Sequence, residues 1–260
     1  MDLSKENIEH ITNNSLISSI GTQNENEKPK KEKKKKKEKK KDNDISFAAE
    51  LKRKSIHTLS LLIPIIYIFV SRDVALPILF VLMVAHVSVD LLSKRNKFVR
   101  NLIKKFFGDI LRKHEKKKKK LILNGASWMT ISAFLTVLIF PKFVAVVAMS
   151  IIVLCDISSA IIGRRFGQNK LFKKKSWEGS IAFFLMGVLV IWVYFFIFQP
   201  SIFFLIFGFI AVFLAAFGEA TSKVIKVDDN IIVPAIMGIV LCLGELYANM
   251  LHHTFIYILG

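Results

Sequence analysis

Cysteine is nearly absent, with two residues in 260. Cys155 and Cys242 each fall inside an apolar run with no histidine or cysteine at ligand spacing, which argues against a disulfide framework and a structural zinc site. Neither a G-x-x-x-x-G-K-[ST] loop nor the glycine loop of protein kinases occurs, so nothing points to ordinary ATP chemistry. The polar start is not that of a cleavable signal peptide. The lysine-rich stretches carry no aromatic or base-reading element, which argues against nucleic acid as a partner. Carboxylates are also scarce: nine of the 20 acidic residues lie in residues 1–44, leaving eleven over residues 45–260.

What the chain has in abundance is apolar surface, with 53% hydrophobic residues and a mean hydropathy of +0.46. That is too apolar for a water-soluble domain of this length. Runs near the twenty or so residues needed to cross about 30 Å of hydrocarbon cover Ile56–Ser71, Val74–Leu92, Ile122–Phe140, Phe143–Ile162, Ser180–Phe198, Ser201–Ala220 and Ile231–Leu251. The expectation is an all-α polytopic membrane protein with about seven transmembrane helices. The first run is the shortest, and a tilted or interfacial helix is an alternative there.

Charge orients the bundle, because cytoplasmic loops collect lysine and arginine. Twelve of the 38 basic residues lie in residues 1–44 and 26 in residues 45–260. If all seven runs cross, one side holds only Arg72 and Lys142 of the latter set. The amino terminus is therefore expected in the cytoplasm.

Residues 1–44 read as a disordered Lys-rich tail, and 45–260 as the membrane catalytic domain. Within it, residues 93–121 read as a basic amphipathic segment lying along the cytoplasmic leaflet, with Phe98, Leu102, Phe106 and Ile110 at helical spacing. An anionic lipid surface is a possible partner for these lysines, at about 1 kcal/mol per basic residue.

A carboxylate inside a span costs roughly 2.5–3.5 kcal/mol on insertion scales, so each one needs a reason. Asp156 lies about two turns before the cytoplasmic end of the fourth run, and Asp156, Ala160, Gly163 and Gly167 fall on one helical face if the helix continues through them. That face offers an acid and a track along which phosphates could approach the backbone. Equally, it describes close helix packing through small residues. The following loop sets Lys173, Lys174 and Lys175 before Ser176, Trp177, Glu178, Gly179 and Ser180, and a lysine cluster at a helix amino terminus suits phosphate. Glu219 ends the sixth run, and Asp228, Asp229 and Asn230 follow with Pro234. These are hard oxygen ligands suited to Mg2+ or another divalent cation. Arg53, Lys54 and His57 stand at the start of the first run, where they could contact phosphate or simply snorkel to the interface. Acids, cations and exposed backbone on one membrane face are what phosphoryl or nucleotidyl transfer to a lipid requires.

In that order the motifs resemble the CTP-dependent lipid kinases, which comprise dolichol kinase, phytol kinase and the yeast-type diacylglycerol kinase. The resemblance covers about Leu51–Leu246. It rests on Arg53-Lys54 with His57, Asp90, Glu115, Asn124-Gly125, Asp156 through Gly167, Lys175-Ser176 with Glu178-Gly179, Glu219, and Asp228-Asp229-Asn230 with Pro234. It implies CTP as phosphate donor, a membrane lipid alcohol as acceptor, and essential roles for Arg53, Lys54, Asp156 and Gly163. Phosphatidate cytidylyltransferases look similar across Asp156–Gly179, but their later His-Gly-Gly stretch is replaced here by Asn230-Ile231-Ile232-Val233-Pro234.

The resulting expectation is a CTP-using lipid kinase of the endoplasmic reticulum or of a prokaryotic cytoplasmic membrane. Its catalytic residues would be Asp156, Arg53, Lys54 and Lys175. Gly163, Arg164, Gly167, Ser176, Glu178, Gly179 and Asn230 would hold the nucleotide, and Asp156, Glu219, Asp228 and Asp229 the metal. A cytidylyltransferase making a CDP-lipid is the rival enzyme, and a transporter or scramblase the rival without catalysis. The acceptor lipid and the oligomeric state are not legible.

Overall fold

The computed structural model describes residues 54–55, 57–99, 101, 123–172, 175–253 and 255. The tail over 1–44, Arg53, Lys173, Lys174 and most of the 93–121 segment, Glu115 included, lie outside the described residues.

A short 3-10 turn, Leu59–Leu61, leads into α1 (Leu62–Phe69). Then follow α2 (Arg72–Arg95), α3 (Gly125–Ile139), α4 (Lys142–Arg165), α5 (Trp177–Phe198), α6 (Ile202–Ile225) and α7 (Asp229–Met250). Five of these, α2 and α4 to α7, are long and apolar enough to cross a membrane. The first and third expected runs form shorter apolar helices, Leu59–Phe69 and Gly125–Ile139. The chain is an all-α polytopic membrane protein. Its one departure from helix among the described residues is a hairpin between α4 and α5, in which β1 (Lys170–Phe172) pairs antiparallel with β2 (Lys175–Ser176).

The layout follows from where each helix is apolar. α4 is hydrophobic all round, and such a helix belongs inside. Its segment Phe143–Val153 is sealed off on every side, with α5, α7 and α1 packed against it. α6 packs on α7 and α5, while α2 rests mainly on α3. The outer faces remain apolar, as at Val81, Leu185, Phe213 and Leu246, which is surface made for acyl chains rather than water. Small residues let the backbones close up: a methyl added at Gly238 would stand 2.3 Å from the Phe140 ring, so α3 and α7 touch without a gap there.

The end of α2 is tied to the start of α3 by one carboxylate. Buried Asp90 accepts from the Asn124 amide (2.8 Å), the Asn124 side-chain Nδ2 (2.6 Å) and the Ser127 hydroxyl (2.7 Å). Asn124 itself caps α3, its Oδ1 accepting from the Ser127 amide at 3.0 Å. A negative group at a helix amino terminus is also favoured by the helix dipole. Asp90→Ala should therefore lower unfolding stability in detergent by about 2–3 kcal/mol, since it strands buried donors at the head of α3. Wild-type stability in thermal unfolding would show that the clasp carries no weight.

Candidate active site

The helices from α4 onward run alternately up and down, so the last turn of α4, the first of α5, the last of α6 and the first of α7 meet at one end of the bundle. Two local devices make the meeting close. α6 stops at Lys226, whose left-handed backbone (φ 66°) turns the chain so that α7, capped by Asp228, begins three residues later. At the α4–α5 crossing, a methyl on Gly163 would lie 3.2 Å from the Gly179 Cα, and one on Gly179 would lie 3.1 Å from the Ser159 carbonyl oxygen. The α4 face at Gly163 is thus a seam filled by the start of α5, not an open track, and Gly167, expected on the same helical face, lies two residues past the helix end with its Cβ position against Ser176.

That seam brings the hairpin's Lys175 into the interior. Its Nζ is paired with Glu219 Oε1 and lies 3.6 Å from Asp229 Oδ2. Lys54 Nζ, from the segment before α1, is paired with Asp156 Oδ2. All the groups are withdrawn from solvent: side-chain exposure is 0% for Glu219, 6% for Lys54, 14% for Asp156, 15% for Lys175 and 23% for Asp229. Burial alone would lower the pKa of the Lys175 ammonium, but the Glu219, Asp229 and Asp156 carboxylates outweigh it and hold the group above the ordinary lysine range.

Asp156, Glu219 and Asp229 each offer an oxygen, and the three oxygens lie within 4.8 Å of one another. The Ser159 hydroxyl donates to Glu219 Oε1 at 3.2 Å, while Glu219 Oε2 is buried with no hydrogen-bond partner. Three hard oxygen donors with one orphaned oxygen fit a small divalent cation.

The remaining expected site residues divide. Asp228 caps α7, its Oδ1 accepting from the Asn230 amide (3.1 Å) and side-chain Nδ2 (2.6 Å), and it stands outside the trio of converging carboxylates. Asn230 keeps a buried Oδ1 with no hydrogen-bond partner beside that trio's Asp229. Ser176 caps α5 by accepting from the Gly179 amide at 3.2 Å. Glu178 holds the loop after α4, its Oε1 accepting from the Gln168 and Asn169 amides at 3.1 Å each. Arg164 lies exposed in the last turn of α4. Sequence reasoning missed Ser159, although a hydroxyl one turn after a lone intramembrane acid was a usable signal.

Removing one partner of a buried ion pair leaves the other charge uncompensated. Lys175→Met should destabilise the folded protein by about 3–5 kcal/mol, and adding Glu219→Gln should recover a substantial part of that loss. Folded yield by size exclusion and unfolding temperature in detergent are the measurements. Losses that simply add in the double variant would mean the two side chains are not coupled.

No family model and no solved structure matches the chain. Among curated proteins, it is 30% identical over 193 residues to an uncharacterized protein of Rickettsia prowazekii, an alignment covering 72% of this chain and 91% of that one. It is 29% identical over 153 residues to the CTP-dependent diacylglycerol kinase 1 of Schizosaccharomyces pombe, covering 55% of this chain and 68% of the kinase. For the Saccharomyces cerevisiae protein of the same name, identity is 27% over 158 residues, covering 58% of this chain and 52% of the kinase. With a relative matched over nearly its whole length, and fungal kinases matched alongside it, the chain belongs to the family of CTP-dependent lipid kinases.

Proposed function

We propose that the chain transfers the terminal phosphate of CTP to the hydroxyl of a membrane lipid alcohol, in the class of diacylglycerol, polyprenol, dolichol or phytol. The observation that carries this reading is the buried cluster of Lys54, Asp156, Lys175, Glu219 and Asp229 at one end of a membrane bundle. Its carboxylates would hold a divalent cation, and its ammonium groups would face polyphosphate. The charge distribution favours the cytoplasmic side for this end, where CTP is present.

In the reaction, the lipid hydroxyl oxygen bonds to the terminal phosphorus as the bond to the bridging oxygen breaks. CDP leaves, and the hydroxyl proton passes to the solvent. Little covalent work falls to the protein in such a transfer; positioning and charge stabilisation account for the catalysis. Asp156, Glu219 and Asp229 would hold Mg2+, which when bound would supply positive charge against the negative charge that builds in the transfer. Lys54 and Lys175, with Arg53 and Arg164, would supply the remaining positive field. Gly163, Gly167 and Gly179 act by allowing α4 and α5 to close, and Ser176, Glu178 and Asn230 by shaping the loop and helix ends around the nucleotide. A cytidylyltransferase would instead release pyrophosphate.

The experiment is purified protein in detergent with CTP labelled in its terminal phosphate and a panel of lipid alcohols. A labelled lipid phosphate together with CDP is the expected result. Labelled pyrophosphate, or ATP serving at least as well as CTP at matched magnesium, would overturn the donor and reaction assigned. In the same assay Asp156→Asn should abolish transfer, a fall of at least about a thousandfold, because the amide keeps the shape and loses the charge. Glu245→Gln, remote in α7, should stay within a few-fold of wild type. Near-normal turnover in the Asp156 variant, at normal folded yield, would remove that residue from the site.

A further inference from the structure

α7 carries a proline in its second turn, and proline costs a helix twice. It lacks the amide that would bond the carbonyl four residues earlier, and its ring crowds that same carbonyl. For Pro234 the carbonyl in question belongs to Asn230, in the first turn of α7 beside Asp229. Asn230 is 7% exposed, so water does not readily replace the lost donor. The replacement comes from another helix: the Ser132 hydroxyl of α3, itself 4% exposed, donates to the Asn230 carbonyl oxygen.

We infer that Ser132 is a positioning residue for the carboxylate cluster, its hydroxyl standing in for the backbone donor that Pro234 removes and thereby fixing Asp229 against Asp156 and Glu219. The inference rests on the metal-site reading above and adds the means by which one ligand is aimed. In the first turn of α7, Asp228 binds the Asn230 amide and side chain from within the turn, and Ser132 holds the Asn230 carbonyl from outside. The Ser132 contact ties the backbone of the turn to α3, while the Asp229 carboxylate itself lies 3.6 Å from Lys175 Nζ. α3 can serve as a reference because Asp90 clamps its head to α2 and Phe140 near its tail is wedged against Gly238 of α7. A carboxylate that must meet two others within 4.8 Å has little tolerance for a loose turn.

The test exploits the proline. In a Pro234→Ala background the helix regains its own amide donor, so the hydroxyl of Ser132 becomes redundant. Mn2+ binding to the full chain in detergent is followed by electron paramagnetic resonance, with CTP present and no lipid acceptor so that no turnover occurs. Ser132→Ala should weaken Mn2+ binding about tenfold in the wild-type background. In the Pro234→Ala background the same substitution should change it less than about twofold. A residue that merely fills the core would lower the unfolding temperature and leave the Mn2+ affinity of the folded fraction unchanged. Equal effects of Ser132→Ala in the two backgrounds, or none in either, would overturn the inference. If Ser132→Ala alone does not fold, a folded Ser132→Ala/Pro234→Ala protein with wild-type Mn2+ affinity supports it, and a double variant that also fails to fold overturns it. Wild-type protein that binds no Mn2+ with or without CTP would remove the metal site itself and this inference with it, an outcome separable from unchanged affinity in the variant.

Discussion

Glu219 has no exposure to solvent, and it lies in a helix whose other faces meet apolar neighbours. A lone carboxylate there would be expelled or protonated, so its charge depends on Lys175 being delivered to within bonding reach. That delivery depends in turn on the hairpin, on Ser176 capping α5, and on a glycine seam close enough to let the start of α5 lie on α4. Asp156 makes the same demand and is met by Lys54, from a segment before α1. Both cations come from outside the long spans, where a lysine costs little to insert, and both act on acids carried within spans. With Asp229, which lies 3.6 Å from Lys175, the cluster numbers three acids and two lysines. On the proposed reading, the one positive charge by which the lysines fall short of the acids is what a bound cation would supply.

The bundle achieves this by alternation. Consecutive antiparallel helices put every second loop on the same side, and the three converging acids lie toward it: Asp156 and Glu219 in the second half of α4 and α6, and Asp229 at the start of α7. A site spread over residues 54 to 230 thus occupies only a few ångströms, with no long-range loop excursion needed. Helix ends held in this way must be stiff, and each is held by a different device: Asp228 at α7, Ser176 at α5, Lys226 in a left-handed turn after α6, and Asn124 with Asp90 at α3.

Much of this was legible in the sequence, and the part that was not has a physical reason. Length and hydropathy place α2 and α4 to α7 as spans, because crossing a membrane is a one-dimensional requirement. The first and third runs form the shorter helices α1 and α3, since apolarity alone does not fix where a helix begins and ends. Asp156 and Glu219 stood out because an acid near the bilayer interior is costly and needs a reason, and Asp229 as a hard oxygen donor in the short loop that follows Glu219. Their partners did not: Lys54 meets Asp156 across 102 residues and Lys175 meets Glu219 across 44, and several lysines in each stretch fit equally well by composition. The hairpin was missed because two short strands leave no periodicity. Gly163 lies on the α4 face that meets α5, whereas Gly167 falls past the helix end at Arg165; sequence alone could not say whether a helix or a phosphate fills the Gly163 face, and a helix does.

Filling that face changes where a phosphate would find its contacts. Helix amino termini bind anions through amides left without partners, yet at this end several are already engaged. The Gly179 amide is taken by Ser176, the Asn230 amide by Asp228, and the Gln168 and Asn169 amides by Glu178. On the lipid-kinase reading, the burden of holding a polyphosphate therefore falls on side-chain cations more than on backbone. Side-chain cations are also the groups that the buried acids require. The same lysines thus answer two demands, one from stability and one from the substrate. It follows that the basic residues at this end cannot be exchanged for neutral ones of similar size, even where the helices would still assemble.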